Sequence, residues 1–299
     1  MTGLFEGFEE ETVTVGDTDI FARIGGSGPP LLLIHGYPQT SAMWHRLAPK
    51  LAGDYRVIVP DMPGYGRSSV PAGGPERYAK RRIAADMVAL TEALGHSRFA
   101  LAGHDRGARV GYRLALDQPD RLAALVLLDI VPTGLIWRNF TAEHGLAFYH
   151  WLMLAQPEPL PEMLIGSDPV GFLDYTIASW TAAKDLSAFD PAALAEYRAA
   201  FSDPVRINAT CNDYRAGATV DRAHDEASLT QGDTISIPAL VLWGAAFKAS
   251  GGRPPLDVWR TLAPEITGSP IDCGHFVCEE APDAVLAHLA RFLSMHPAS

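Results

Sequence analysis

The 299-residue chain predicts an α/β protein with a mostly parallel, doubly wound sheet and an inserted helical cap. Three observations carry this. Short apolar runs alternate with helix-patterned segments up to about residue 132, disappear from 133 to 222, and return in the last part of the chain. Strands alternating with helices require crossover connections, which make neighbouring strands parallel and cover both faces of the sheet.

The elements follow in order. PPLLLIHGYP (29–38) is an apolar run ending in Gly and Pro, a buried strand with its exit loop. SAMWHRLAPKLAG (41–53) reads as a helix stopped by Gly53, and YRVIVPDMPGYGRS (55–68) as a second strand entering a Gly/Pro-rich loop. Ile83, Met87, Leu90 and Leu94 recur at helical spacing before Gly95. RFALAGHD (98–105) is a strand, followed by an amphipathic helix through Leu116 and by the strand RLAALVLLDIVP (121–132). Residues 133–222 are aromatic-rich, helix-patterned and punctuated by prolines, which marks the cap. Residues 223–299 return to the core with IPALVLWG (237–244), a helix around 255–263, a strand near 266–272 and a closing helix over 282–295.

Composition narrows the function classes. The chain is 47% hydrophobic and 20% charged, within the range of ordinary globular domains. A net charge of −11 with no basic run disfavours nucleic acid or an anionic membrane surface as partner. An anionic ligand would need local cations. Cys211, Cys273 and Cys278 are odd in number and form no CxxC pair, which argues for a reducing compartment and against structural zinc. The acidic start MTGLFEGFEEETV is no signal peptide, and no apolar run approaches the ~18–20 residues of a bilayer span. The expected location is cytoplasmic. No metal or organic cofactor is expected.

Gly103-His104-Asp105-Arg106-Gly107 has the strand–tight turn–helix context of a nucleophile elbow, with aspartate in the serine's place. The plainer alternative is an aspartate at the sheet edge capping the next helix. Two further motifs weigh against it. His275 follows the last strand, late in the chain, where this architecture delivers its base. HGYP (35–38) follows an early strand, where one oxyanion-hole N–H is expected; Tyr37 supplies it, and Arg106 the other. The acid partner is harder to place. The run Trp243-Gly244-Ala245-Ala246-Phe247 carries Phe247 where an acid is common, so Asp129, at the end of LVLLD, is the candidate.

A carboxylate nucleophile suits displacement at a saturated carbon, giving an alkyl ester that His275-activated water then hydrolyses. This limits the reaction to halide displacement or epoxide opening. Arg106 and Arg109 lie on one face of a helix N-terminus beside Asp105, a place suited to a substrate carboxylate. Pairing with Asp105 or with surface acids is the alternative for both.

At these residues the chain resembles the fluoroacetate (haloacetate) dehalogenases of the α/β-hydrolase fold. HGYPQT, GHDRGARVGYRLALD, LLDIVPT, YHWLMLAQPEPLPE, ASWTAAKDLSAFDP, DYRAGA and GHFVCEEAP carry the resemblance over nearly the whole chain. It implies Asp105 as nucleophile, His275 as base, Asp129 as its partner, and Arg106 and Arg109 on the substrate carboxylate. It further implies His150, Trp151 and Tyr214 as halide donors, Trp180 as pocket wall, a small haloacid substrate and a homodimer. The other cap aromatics, including Trp137 and Phe148, read as cap packing. One departure is Ile136, where an aromatic is expected; it leaves halogen preference and substrate size open. The alternative enzyme is an epoxide hydrolase using Tyr214, which Arg106 disfavours. A non-catalytic receptor on the same fold is the third reading, disfavoured by Asp105, Asp129 and His275 together.

Overall fold

Eight strands form one sheet in a computed structural model that describes residues 3–246 and 253–298. The strands are β1 Glu9–Val15, β2 Thr18–Gly25, β3 Pro30–Ile34, β4 Arg56–Pro60, β5 Phe99–His104, β6 Leu122–Leu128, β7 Ala239–Gly244 and β8 Thr267–Ile271. Their order is β1-β2-β4-β3-β5-β6-β7-β8. From β4 through β8 every neighbouring pair is parallel, whereas β1 and β2 join antiparallel at one edge.

Side-chain chemistry explains these positions. β5 and β6 are buried at every residue, as a central parallel strand covered on both faces must be. β1 is the edge strand, and its outward positions carry Glu and Thr. The expectation omitted β1 and β2 because neither shows the continuous apolar run that marks the central strands. Their turn, Gly16–Asp17, is opened by Gly16 at φ 59°.

The helix expected over 41–53 is a correction: a short 3-10 turn, Ser41–Trp44, is followed by the single turn Ala48–Leu51. Pro49 has no N–H to continue a helix begun at 41. The closing helix, Pro282–Met295, has the expected span.

Between β6 and β7 the described chain contains helices and no strand. Three of these helices begin with an Asp-Pro pair: Pro169–Trp180, Pro191–Phe201 and Pro204–Ala218. Asp168, Asp190 and Asp203 cap the N–H groups of Gly171, Ala192 and Val205. Each cap contributes about 1 kcal/mol, and proline at the first helical position loses no bond. The prolines therefore start helices here. The boundary expected at 222 falls inside the helix Val220–Gln231, which ends at Gly232, φ 75°. Phe247 lies outside the described residues. Among the described residues no helix is long and apolar enough to cross a membrane.

Register aligns the strand ends. Ile34 pairs with Gly103, His104 with Leu128 and Leu128 with Leu242. The loops that leave β3, β5, β6 and β8 therefore emerge at one carboxyl edge, the ligand edge of open parallel sheets.

Candidate active site

Asp105 joins β5 to the helix Arg106–Asp117 with φ 44° and ψ −112°, a conformation that non-glycine residues rarely adopt. Two glycines make the turn possible. A Cβ on Gly103 would lie 2.6 Å from the Ala108 nitrogen, and one on Gly107 would lie 2.4 Å from the His35 carbonyl oxygen. Asp105 Oδ1 accepts the Tyr37 N–H at 3.1 Å. Oδ2 has no hydrogen-bond partner among the described residues. The Arg106 N–H opens the helix and so has no intrahelical acceptor.

Asp129 follows β6 with φ 55°. Its Oδ1 accepts the Gly244 N–H at 2.7 Å, and its Oδ2 accepts from His275 Nδ1 at 2.5 Å. His275 is held from both sides along the backbone. The His275 N–H donates to the Trp180 carbonyl at 3.0 Å, and His104 Nε2 meets the His275 carbonyl at 2.8 Å. Glu280 fastens the same loop by accepting the N–H groups of Gly274 (2.9 Å), Phe276 (3.0 Å) and Ala182 (2.8 Å). Glu280 thus turns back to clamp the loop that carries His275.

Charge is arranged for a carboxylate and an adjacent base. Burial favours the neutral form of Asp105, but the positive charges of His275, Arg109 and Arg106 outweigh it and hold its pKa below the usual value. Burial opposes charge on His275 as well. The hydrogen bond and charge of Asp129, with help from Asp105 and Glu280, still raise its pKa above the ordinary value. Burial pushes His150 down to about 3, so this ring is neutral at physiological pH.

The expected residues of the helical segment gather against the elbow helix and the His275 ring. His150 and Trp151 lie on the helix Tyr149–Leu154, and Tyr214 on Pro204–Ala218. His150 lies 4.4 Å from the Trp180 ring and 5.7 Å from that of Tyr214. Trp180 in turn meets the His275 ring edge-on at 5.5 Å. The Arg106 guanidinium covers Tyr214 at 4.5 Å, and that of Arg109 covers Trp151 at 4.8 Å. His150 Nδ1 is buried without a partner, and neither the Trp151 indole N–H nor the Tyr214 hydroxyl bonds a described residue. Trp137 and Phe148 are packing residues. Trp137 stacks on Phe140 and donates to the Gly217 carbonyl, and Phe148 lies beside Trp151.

The two arginines differ. Arg109 Nη1 donates to Thr133 Oγ1 at 2.7 Å and to the Val131 carbonyl at 3.2 Å, while its buried Nε has no partner among the described residues. Arg106 is bound along one edge to Asp213, a residue that sequence reasoning missed. Asp213 directly precedes Tyr214, and only its complete burial beside two cations distinguishes it from a surface acid. Ile136 borders a cavity of about 480 Å³ with Val131, Phe140, His144 and Arg253.

A strained aspartate at the sheet's carboxyl edge, faced by an Asp–His pair and a backbone N–H, defines the class: an α/β hydrolase whose elbow carries a carboxylate. Residues 29–282 match the family model described as alpha/beta hydrolase fold. A fluoroacetate dehalogenase from Burkholderia sp is 42% identical over 97% of this chain and 95% of its own. A soluble epoxide hydrolase from Corynebacterium sp. (strain C12) is 31% identical, over 90% and 91%. A solved candidate epoxide hydrolase from Pseudomonas aeruginosa superposes with a TM-score of 0.93 at 45% identity, over 99% of this chain and 98% of its own. The chain is a hydrolase that belongs to the α/β-hydrolase superfamily and, within it, to the fluoroacetate dehalogenase family.

Proposed function

We propose that this hydrolase acts on carbon–halide bonds and converts a short 2-haloacid, fluoroacetate or chloroacetate, to the 2-hydroxy acid and halide. One observation carries the reading. Near a carboxylate whose Oδ2 has no partner among the described residues lie two buried nitrogens equally unpaired, Arg109 Nε and His150 Nδ1, and two donors, Trp151 Nε1 and Tyr214 Oη, that bond no described residue. A buried donor without an acceptor costs about 1–3 kcal/mol, so the two buried nitrogens, with the two open donors beside them, mark where a ligand brings a carboxylate and a leaving anion. The similarity to the Burkholderia dehalogenase supports the same chemistry.

In this reading Asp105 Oδ2 attacks the α-carbon, the carbon–halogen bond breaks, and an ester joins Asp105 to the substrate. Arg109 and Arg106 hold the substrate carboxylate. His150, Trp151 and Tyr214 donate to the departing halide, replacing water that fluoride needs most. Trp180 forms the wall behind them. His275 then takes a proton from water, which attacks the Asp105 carbonyl carbon. Negative charge collects on Oδ1, where the Tyr37 N–H already sits at 3.1 Å; the Arg106 N–H is the second donor. Collapse releases the hydroxy acid, and Asp129 steadies the protonated His275.

The helical segment 133–222 acts as a cap over a core made of residues 1–132 and 223–299. The reading also includes a cytoplasmic homodimer. Buried, unpaired cysteines support the first term, and exposed Leu146, Met163, Leu164 and Tyr175 support the second. A sedimentation mass of a single chain removes the dimer.

Halide release from fluoro-, chloro- and bromoacetate tests the reaction, and its absence with all three overturns it. The epoxide reading draws on the Corynebacterium and Pseudomonas relatives. Diol formation from styrene oxide without halide release would establish it instead.

A further inference from the structure

Asp213 takes no part in the steps above, yet it is fully buried and touches the elbow helix. Arg106 Nε donates to its Oδ2 at 3.0 Å, and Arg106 Nη2 donates to Oδ1 at 2.6 Å and to the Asp213 carbonyl at 2.7 Å. These bonds occupy one whole edge of the guanidinium. Nη1 is left as its only nitrogen with no partner among the described residues.

A carboxylate paired with Arg106 alone would cancel the charge that an anionic substrate needs. Here the carboxylate is shared. Lys80, equally buried, donates from Nζ to Asp213 Oδ1, and Tyr65 Oη donates to Oδ2 at 2.8 Å. Beyond Lys80 lies Asp221, whose Oδ1 accepts the Lys80 N–H at 2.7 Å and whose Oδ2 is 3.7 Å from Nζ. The four charges alternate: Arg106, Asp213, Lys80, Asp221. Only Arg106 borders Asp105.

We propose that this buried chain of alternating charges is a specificity device, in which Lys80, Asp213 and Asp221 are positioning residues for Arg106. Asp213 turns Nη1 of Arg106 toward the substrate carboxylate. Lys80 draws part of the Asp213 charge away, so that Arg106 stays electropositive at the elbow. The inference rests on the haloacid reading, because it assigns the arginine edge to a substrate carboxylate.

The signs of the charges give the test. Lys80→Met leaves the chain with one excess negative charge, and the KM for chloroacetate rises about ten-fold, the size of one charge acting across a buried site. The kcat stays within about two-fold, and Lys80→Arg restores the original KM. Asp221→Asn removes a negative charge, keeps an acceptor for the Lys80 N–H, and lowers the KM. Opposite shifts in KM are not what a loss of packing produces. Unchanged KM values, or a rise in both variants, overturn the proposal. If Lys80→Met does not fold, Asp221→Asn decides alone: a lower KM supports the device, and an unchanged or higher one overturns it. If the wild-type protein releases no halide at all, the haloacid reading fails separately. Calorimetric binding of chloroacetate to wild type and the same variants then tests the charge chain by the same opposite shifts.

Discussion

The sheet edge and the helical segment that meet at Asp105 obey opposite hydrogen-bonding rules. On the sheet side the groups that must hold charge are tied down: Asp105 by Tyr37, Asp129 by Gly244 and His275, and the His275 loop by Trp180, His104 and Glu280. On the helical side, His150 keeps a buried ring nitrogen without a partner, and Trp151 and Tyr214 offer donors to no described residue. Satisfied charges are preorganised and do not reorient during reaction. Unsatisfied neutral donors wait for an anion that only the substrate supplies. In the proposed reaction the sheet edge carries the bond-making chemistry, and the helices carry the leaving group.

The sharpest way to break this division is to remove the sheet-side groups. Asp105→Asn is expected to reduce steady-state halide release on the order of 10⁴-fold or more. His275→Asn is expected to release about one halide per site and then stop, with intact mass showing an adduct on Asp105; an unmodified mass would count against the ester. Asp129→Asn is expected to lower kcat about 10³- to 10⁴-fold. It also moves the pH profile. The neutral base is the active form, so wild-type kcat rises with pH through a midpoint above the ordinary histidine value, because Asp129 holds that pKa up. Without the carboxylate the midpoint falls, and a midpoint that stays in place would deny the coupling.

On the helical side Tyr214→Phe is expected to cost about 10²-fold with fluoroacetate and clearly less with bromoacetate, since bromide needs less help to leave. Equal losses with both halogens would move Tyr214 out of the leaving-group role.

The smallest effect is on stability, where the two regions meet. Glu279 is buried against Tyr197, whose hydroxyl donates to it at 2.6 Å, and burial pushes its pKa up to about 7. The folded protein therefore holds this proton more tightly than the unfolded chain does, and stability falls as pH rises from about 4.5 to 7. Glu279→Gln is expected to raise the melting temperature by roughly 2–4 °C at pH 8 and to leave it nearly unchanged at pH 4. An equal change at both values would deny the buried titration.

Much of this was legible in order and spacing. The apolar runs of β3 through β7 are buried on both faces, so their composition alone marks them. The edge strand β1 is not, because a half-exposed strand carries Glu and Thr among its apolar residues, and β2 breaks its apolar residues with Asp19 and Arg23. Gly103-x-Asp105-x-Gly107 reads from local sequence because the turn has no room for a Cβ at either glycine. Asp213, Lys80, Asp221 and the fold-back of Glu280 could not be read this way. Asp213 and Arg106 are 107 residues apart, and nothing local distinguishes a buried acid from a solvated one.

The sequence by itself determined the parallel sheet, the elbow with its aspartate, and the late histidine, because backbone sterics and apolar periodicity act over a few residues. Tertiary structure decided which acid met His275, which arginine kept a free buried edge, and which donors were left without partners. Those outcomes depend on desolvation and on contacts between distant segments, which exist only once the chain has closed around Asp105.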